Sequence, residues 1–276
     1  MGARREAREA LAAAGLRPRK RWGQHFLCDP AVARRIVEAA ELGAGSAVLE
    51  IGPGLGALTG ELAARARRLY LVEIDPGLVE RLRASHGDDP RVRIVEGDVL
   101  TLPLAEIVTE SGVTVVANLP YNVATPVLFR LLDLRARFPR AVVMLQREMA
   151  LRLAARPGGG DYGVTSVLMQ AFATIRIAFG VSRRSFMPRP DVDSAVLDIR
   201  WSAEPRVDLG DVDLFRAVVR AAFGQRRKML RNALAALVAG RGRTAEAVFA
   251  QAGIAPTARA ETLDLAAFAR LARAIE

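Results

Sequence analysis

A single cysteine, Cys28, in 276 residues rules out any internal disulfide, and two histidines beside one thiol fall short of the usual ligand set of a structural zinc site. No metal is expected, and the compartment implied is a reducing one. Apolar residues make up 51% of the chain, yet no run is long enough to cross a bilayer. A chain that works in water is expected, with room for one large core and a smaller second one and with no membrane partner. Met1 to Leu16 is an Ala, Arg and Glu stretch without an apolar h-region, and Glu6 and Glu9 speak against a transit peptide, so the expected location is the cytoplasm. There is no internal repeat and no low-complexity tract. Lysine is scarce too. Of 40 basic residues 38 are arginine, as a GC-rich genome would produce, but drift of that kind does not explain where the charge sits.

The net charge is +10, and all of the excess lies at the two ends. Residues 1–25 carry seven basic and two acidic side chains, residues 26–204 carry 21 of each, and residues 205–276 carry twelve basic and seven acidic. A neutral body with basic flanks suggests a catalytic core that takes its affinity for a polyanion from appended elements, because phosphate contacts supply most nonspecific nucleic-acid binding.

Along the chain, short apolar runs with β character alternate with helical patterns. The runs are Ala47 to Ile51, Leu69 to Ile74, Val92 to Val95, Val113 to Ala117 and Ala141 to Leu145. Between them lie the helical stretches Leu58 to Arg67, Gly77 to Ala84, Pro126 to Leu134 and Glu148 to Arg156. Strands that are apolar on both faces and alternate with helices indicate an α/β fold with a mostly parallel sheet covered on both sides. Val164 to Phe172 reads as a helix, and Thr174 to Val181 and Ala195 to Trp201 read as strands that close the sheet. From Val207 on only amphipathic helices are expected: Asp211 to Phe223, Arg226 to Val238, Thr244 to Ala252 and Asp264 to Ile275. The expected domains are a basic arm over 1–25, a catalytic domain over 26–204 and a helical domain over 205–276, divided near Pro205.

The chemistry-bearing residues fall at the ends of these strands. Glu50, Ile51, Gly52, Pro53, Gly54, Leu55 and Gly56 follow the first run, where Gly52 and Gly54 let the backbone turn sharply and approach a ligand closely. The spacing is not that of the dinucleotide fingerprint, and no Lys-Ser/Thr follows, which disfavours a P-loop. Glu73 ends the second strand, where a carboxylate can accept both ribose hydroxyls of a nucleoside, and Asp98 ends the third, where it can accept from an adenine amine. Acidic residues at strand ends are often only solvated or helix caps, but together these two outline an adenosine pocket at the sheet's switch point. Asn118-Leu119-Pro120-Tyr121 ends the fourth strand. The Asn118 side-chain carbonyl and the Pro120 backbone carbonyl can both accept from one exocyclic amine, while Tyr121 offers its ring to the base. A strand ending in a Pro turn with a buried Tyr would read the same way. His86, in a polar loop beside Gly87 and Asp88, reads as a surface residue.

The ordered set Glu-x-Gly-Pro-Gly-x-Gly, Glu73, Asp98 and Asn118-Leu119-Pro120-Tyr121 resembles the rRNA adenine N6-dimethyltransferases. Gly23-Gln24-His25-Phe26-Leu27 is similar to that family's N-terminal Gly-Gln-Asn/His-Phe-Leu signature, and Phe186 to Val196 to its Phe-x-Pro-x-Pro-x-Val-x-Ser segment. Ala222 to Asn232 and Arg259 to Leu271 look like the bacterial small-subunit (16S) branch, so the likeness runs from about residue 20 to the C-terminus. It implies a Rossmann-like class I methyltransferase fold, with a mostly parallel seven-stranded sheet, helices on both faces and a small all-helical C-terminal domain. It implies S-adenosyl-L-methionine as cofactor, with contacts at His25, Leu27, Gly52, Glu73, Asp98 and Asn118. At the first of these positions many members have Asn, and an imidazole there is expected to bring pH sensitivity. Asn118, Pro120 and Tyr121 would hold the target adenine, with Phe186 either a second wall or a core aromatic. The implied partner is 16S rRNA within an immature small ribosomal subunit, met at two adjacent adenines in the loop of its 3′-terminal helix by an enzyme expected to be monomeric. RNA contacts are expected at Arg17, Arg19, Lys20, Arg21, Arg226, Arg227, Lys228 and Arg231, because a one-base pocket cannot choose among rRNA loops.

Three other readings share some of these features. The large-subunit (23S) methyltransferases of the macrolide-resistance type have the same catalytic core, but the Phe223 to Asn232 segment argues against them. DNA adenine methyltransferases usually show Asp/Asn-Pro-Pro-Tyr, and Leu119 replaces the first of those prolines. A ribosome-assembly factor with incidental methyl transfer would keep the same intact site.

Overall fold

The computed structural model describes residues 23–276 apart from Tyr121, Arg226 and Arg227, together with Arg5, Arg8, Glu9, Leu11, Ala12 and Pro18 of the N-terminal stretch. The packing divides the chain into two compact units, one of residues 1–150 and 175–201 and one of residues 151–174 and 202–276.

The first unit is built on a seven-stranded sheet. In chain order its strands follow a short β1 (Phe26–Leu27): β2 (Ala47–Ile51), β3 (Arg68–Glu73), β4 (Val92–Glu96), β5 (Thr114–Asn118), β6 (Arg140–Gln146), β7 (Ala173–Val181) and, after a short β8 (Phe186–Met187), β9 (Ser194–Trp201). Across the sheet the order is β4-β3-β2-β5-β6-β9-β7, with β4 through β6 parallel and β9 antiparallel to β6. All five residues of β2 are buried, as are the central residues of β5 and β6. Burial on both faces is what their unbroken apolar runs require. Each fully buried Val, Leu or Ile contributes roughly 1.5–3 kcal/mol, so these central strands carry much of the fold's stability.

The chain runs outward from β2 through β3 to β4 and then returns to pair β5 on the other side of β2. This reversal opens a crevice beyond the carboxyl ends of β2 and β5. Two helices of this unit start in the same way. Pro30–Ala39 is capped by Asp29, which accepts from Ala31 N and Val32 N, and Pro76–His86 by Asp75, which accepts from Gly77 N. In both, proline follows the cap, where its missing N–H costs no hydrogen bond and its fixed φ suits the first turn. The first of these helices and the β1–β8 pair, which joins Phe26 to Met187 and Leu27 to Phe186, were not expected from the sequence. A two-residue strand has no periodicity to read, and its partner lies about 160 residues away along the chain.

The second unit contains the helices Val164–Gln170, Val212–Gly224, Leu230–Ala233, Ala235–Ala239, Ala245–Ala252 and Leu265–Ile275. Asp211, Thr244 and Asp264 cap three of them by accepting backbone N–H bonds. Two expectations change here. One helix was expected over Arg226 to Val238, but Met229 is extended and Leu230 N and Arg231 N donate to Ala258 O and Pro256 O. Those tertiary bonds replace the helical ones, and two short helices result. The division expected near Pro205 is also too simple, because residues 151–174 pack with the C-terminal helices. Tyr162 meets Phe223 edge-on at 6.0 Å, Phe223 lies 5.7 Å from Phe268, and Gly158 N donates to Glu261 O. Among the described residues, no helix is long and apolar enough to cross a membrane.

Candidate active site

A cavity of about 320 Å³ opens at the crevice between β2 and β5. Its walls come from the turns after four adjacent parallel strands, namely Gly52 to Gly54 after β2, Glu73 and Ile74 after β3, Gly97 to Val99 after β4, and Asn118 to Pro120 after β5. Gly23 to Leu27 close a further side. Of the cofactor-binding residues read from the sequence, His25, Leu27, Gly52, Gly54, Glu73, Asp98 and Asn118 all line this one space, and so does Pro120.

The glycine turn is left-handed at Gly52, with φ +66°, and at Gly54, with φ +60°. A Cβ on Gly54 would also stand 3.1 Å from the Phe26 ring, so any other residue there meets backbone strain and a contact to which the ring must yield by a few tenths of an ångström. Glu73 Oε2 accepts from Gly54 N at 3.0 Å, while Oε1 accepts from Ile74 N at 2.8 Å and Asp75 N at 3.0 Å. A carboxylate offers about four acceptor positions, so one is left for a ligand hydroxyl. Burial raises the Glu73 carboxyl above the ordinary carboxylate range despite those three bonds. Asp98 Oδ1 accepts from Leu100 N at 2.8 Å, which leaves Oδ2 without a partner among the described residues.

Asn118 stands beside the glycine turn, because β2 and β5 run in register as far as Ile51 and Ala117. Its Nδ2 donates to His25 O at 3.2 Å, which fixes the amide and leaves Oδ1 unbonded among the described residues. Pro120 O accepts from Val123 N at 3.2 Å and keeps its second lone pair. His25 Nδ1 donates to Pro188 O at 2.8 Å, which ties the ring to the segment after β8. A spare lone pair on Glu73, the unbonded Oδ2 of Asp98, an apolar lining that includes Leu55, Val72 and Val99, and a glycine turn without side chains fit an adenosine-bearing cofactor.

Phe186 is a correction. It does not line the cavity, is 1% exposed, and packs with Leu27, Ile36 and Val196 in the main core. It pairs with Leu27 across the β1–β8 ladder and so supports the cavity wall from behind. Tyr121, Arg17, Arg19, Lys20, Arg21, Arg226 and Arg227 lie outside the described residues. Lys228 and Arg231 are exposed on the helical unit.

Two lining residues were missed. Gln24 Nε2 donates to Asp75 Oδ2 at 3.2 Å, which ties the N-terminal segment to the turn that holds Glu73. Glu50, within β2, is 1% exposed and lines the cavity. Its Oε2 accepts from Thr59 Oγ1 at 2.8 Å. Burial, with a smaller contribution from Glu73 and against the Thr59 hydrogen bond, pushes its carboxyl up to about 8. The sequence showed both residues only as members of motifs.

Residues 15–276 match the family model described as ribosomal RNA adenine dimethylase. The chain is 48% identical over 265 residues to ribosomal RNA small subunit methyltransferase A of Geobacter sulfurreducens, an alignment that covers 95% of this chain and 96% of that one. To the protein of the same name from Moorella thermoacetica it is 45% identical over 271 residues, covering 95% and 94%. Among solved structures, the 23S rRNA methyltransferase ErmE is similar with a TM-score of 0.69 and 30% identity, over 91% of this chain and 99% of that one. A dimethyladenosine transferase from Plasmodium falciparum shares the fold, with a TM-score of 0.74 at 24% identity over 89% and 95%.

Proposed function

Because the chain belongs to the ribosomal RNA adenine dimethylase family, we propose that it dimethylates N6 of two adjacent adenines in the loop of the 3′-terminal helix of small-subunit (16S) rRNA. It is a methyltransferase that uses S-adenosylmethionine. The particle it meets is an immature small subunit in the cytoplasm, and the enzyme acts as a monomer. Relatives named for the small subunit match at 45–48% identity, which supports this branch over the large-subunit one, where the identity is 30%.

The observation that carries the reading is the orientation of Asn118. With Nδ2 held by His25 O, Oδ1 is the atom left to accept a hydrogen bond, beside a glycine turn shaped for the cofactor. The adenine N6 lone pair is delocalised into the ring, and the free amine is a poor nucleophile. When Asn118 Oδ1 and Pro120 O accept its two N–H bonds, the nitrogen is drawn toward tetrahedral geometry and the lone pair is freed without a strong base. The bound cofactor supplies an electrophilic methyl on a sulfonium. Asn118 and Pro120 supply alignment, and such positioning can remove about 7–11 kcal/mol of a barrier. Tyr121 completes the holder by stacking on the extruded base. After the first transfer only one N–H remains, so a single acceptor orients the second round.

Asn118→Ala at saturating S-adenosylmethionine tests this. The rate of methyl transfer should fall by about 10²-fold or more while affinity for the rRNA particle stays near the parental value, since phosphate contacts dominate binding. A variant that keeps its rate would show that Asn118 does not hold the amine.

A further inference from the structure

Glu50 has no part in the methyl transfer described above, yet its carboxyl is buried on the cavity wall with Oε1 unbonded among the described residues. The titratable groups that share the wall are Glu73 at the end of β3, Asp98 after β4 and His25 before β1. The helix Thr59–Ala63 offers Glu50 only the Thr59 hydroxyl, and β5 brings apolar side chains and the uncharged Asn118. Glu73 and Asp98 already accept backbone N–H bonds, so Glu50 is the acid with the least local compensation.

Register places Glu50 opposite Val116, one strand across from and two residues before Asn118, or about 8 Å between Cα atoms from standard strand spacings. The atom that carries the transferable methyl must sit beside Asn118. In the donor that atom is a sulfonium and the molecule has a net charge of +1. In the spent product it is a neutral thioether and the molecule has no net charge. Ammonium and carboxylate are common to both, so the sulfur charge is the difference the wall can sense.

We propose that Glu50 discriminates the charged methyl donor from its spent product: the Glu50 carboxyl releases a proton to solvent as the donor enters, and the resulting carboxylate binds the sulfonium form more tightly than the thioether. The proposal rests on the reading of this cavity as the S-adenosylmethionine site. The balance is simple, with Glu50 carboxylic acid and donor cation going to a carboxylate–cation pair and one proton in solution. Because burial pushes the empty-site carboxyl up to about 8, the acid form prevails there at neutral pH. Donor affinity therefore rises as pH approaches 8 and levels off above it, while product affinity changes little. Discrimination of this kind matters to an enzyme that must exchange product for donor between successive methylations of one nitrogen.

The test is calorimetric titration of the full chain with S-adenosylmethionine and with S-adenosylhomocysteine, at pH 7 in two buffers of different ionisation enthalpy. Proton exchange at each ligand's own ammonium and carboxylate is common to the parent and to Glu50→Gln, so it drops out between the two proteins. The parent should release close to one proton more with the donor than with the product. In Glu50→Gln, whose amide oxygen can still accept from Thr59, that excess should vanish and the donor-to-product affinity ratio should fall on the order of tenfold. An excess or a ratio that survives in the folded Gln variant overturns the proposal. Should the variant not fold, the parent alone decides, because its proton excess must disappear by pH 9 and an excess constant from pH 6 to 9 refutes it. Donor binding without a proton excess fails Glu50 alone. A parent that binds neither ligand fails the reading of the site, and the proposal with it.

Discussion

Three of the acceptor positions of Glu73 are occupied by the protein's own N–H groups, so this side chain shapes the glycine turn, and we propose that its remaining lone pair accepts from the ribose. Removing a charged acceptor typically costs on the order of 1.5–3 kcal/mol, and Glu73→Ala should weaken S-adenosylmethionine binding roughly tenfold or more. Calorimetry on the folded variant checks this, and unchanged affinity would remove Glu73 from the site. That Glu73, Asp98 and Asn118 gather around one cavity was legible in the sequence, because the carboxyl ends of adjacent parallel strands border one crevice and these strands could be read. Glu50 was not, because a carboxylate inside an apolar run becomes informative only when its burial and its single hydrogen bond are known. Phe186 shows the opposite error. An aromatic in a motif looks like a wall for a base, but which way it faces is decided by the pairing of β8 with β1.

At the scale of elements, the five parallel strands stood out because each is a short apolar run between helical patterns, and they emerge within a residue or two of the expected limits. The segment from Arg226 to Val238 did not. Its composition favours one helix, and tertiary bonds from Leu230 N and Arg231 N to the 256–258 turn break it. The same unit depends on the aromatic series of Tyr162, Phe223 and Phe268, which links the 151–174 segment to the C-terminal helices. Phe223 is half-buried, so Phe223→Ala should cost about 2–3 kcal/mol, below the range for a fully buried phenylalanine. The expected result is a lower denaturation midpoint in urea with S-adenosylmethionine binding retained in native buffer, because every cavity-lining residue belongs to the other unit. An unchanged midpoint would mean that the aromatic series does not hold the unit together.

At the scale of the whole molecule, charge is divided from chemistry. Apart from Gly23, Gln24 and His25, the cavity lining falls in the sequence stretch with balanced charge, and the excess lies before residue 26 and after residue 204. Neutralising Arg226, Arg227 and Lys228 together should weaken binding to small ribosomal particles and reduce its salt dependence by up to about 0.9 log unit per lost phosphate contact. S-adenosylmethionine affinity should not change. A folded triple variant with the parental salt slope would place RNA recognition elsewhere. The charge division was visible in the sequence, but the packing of residues 151–174 with the C-terminal helices was not, since it depends on contacts such as Tyr162 with Phe223 across about 60 residues. The central claim, that this is an enzyme of small-subunit rRNA acting on adenine N6, is tested most directly by supplying S-adenosylmethionine with a labelled methyl group to isolated, undermethylated small and large ribosomal subunits and identifying the labelled nucleoside. The account predicts label in small-subunit rRNA as N6,N6-dimethyladenosine at two adjacent positions near the 3′ end, and preferential labelling of the large subunit, or of any other nucleoside, would contradict it.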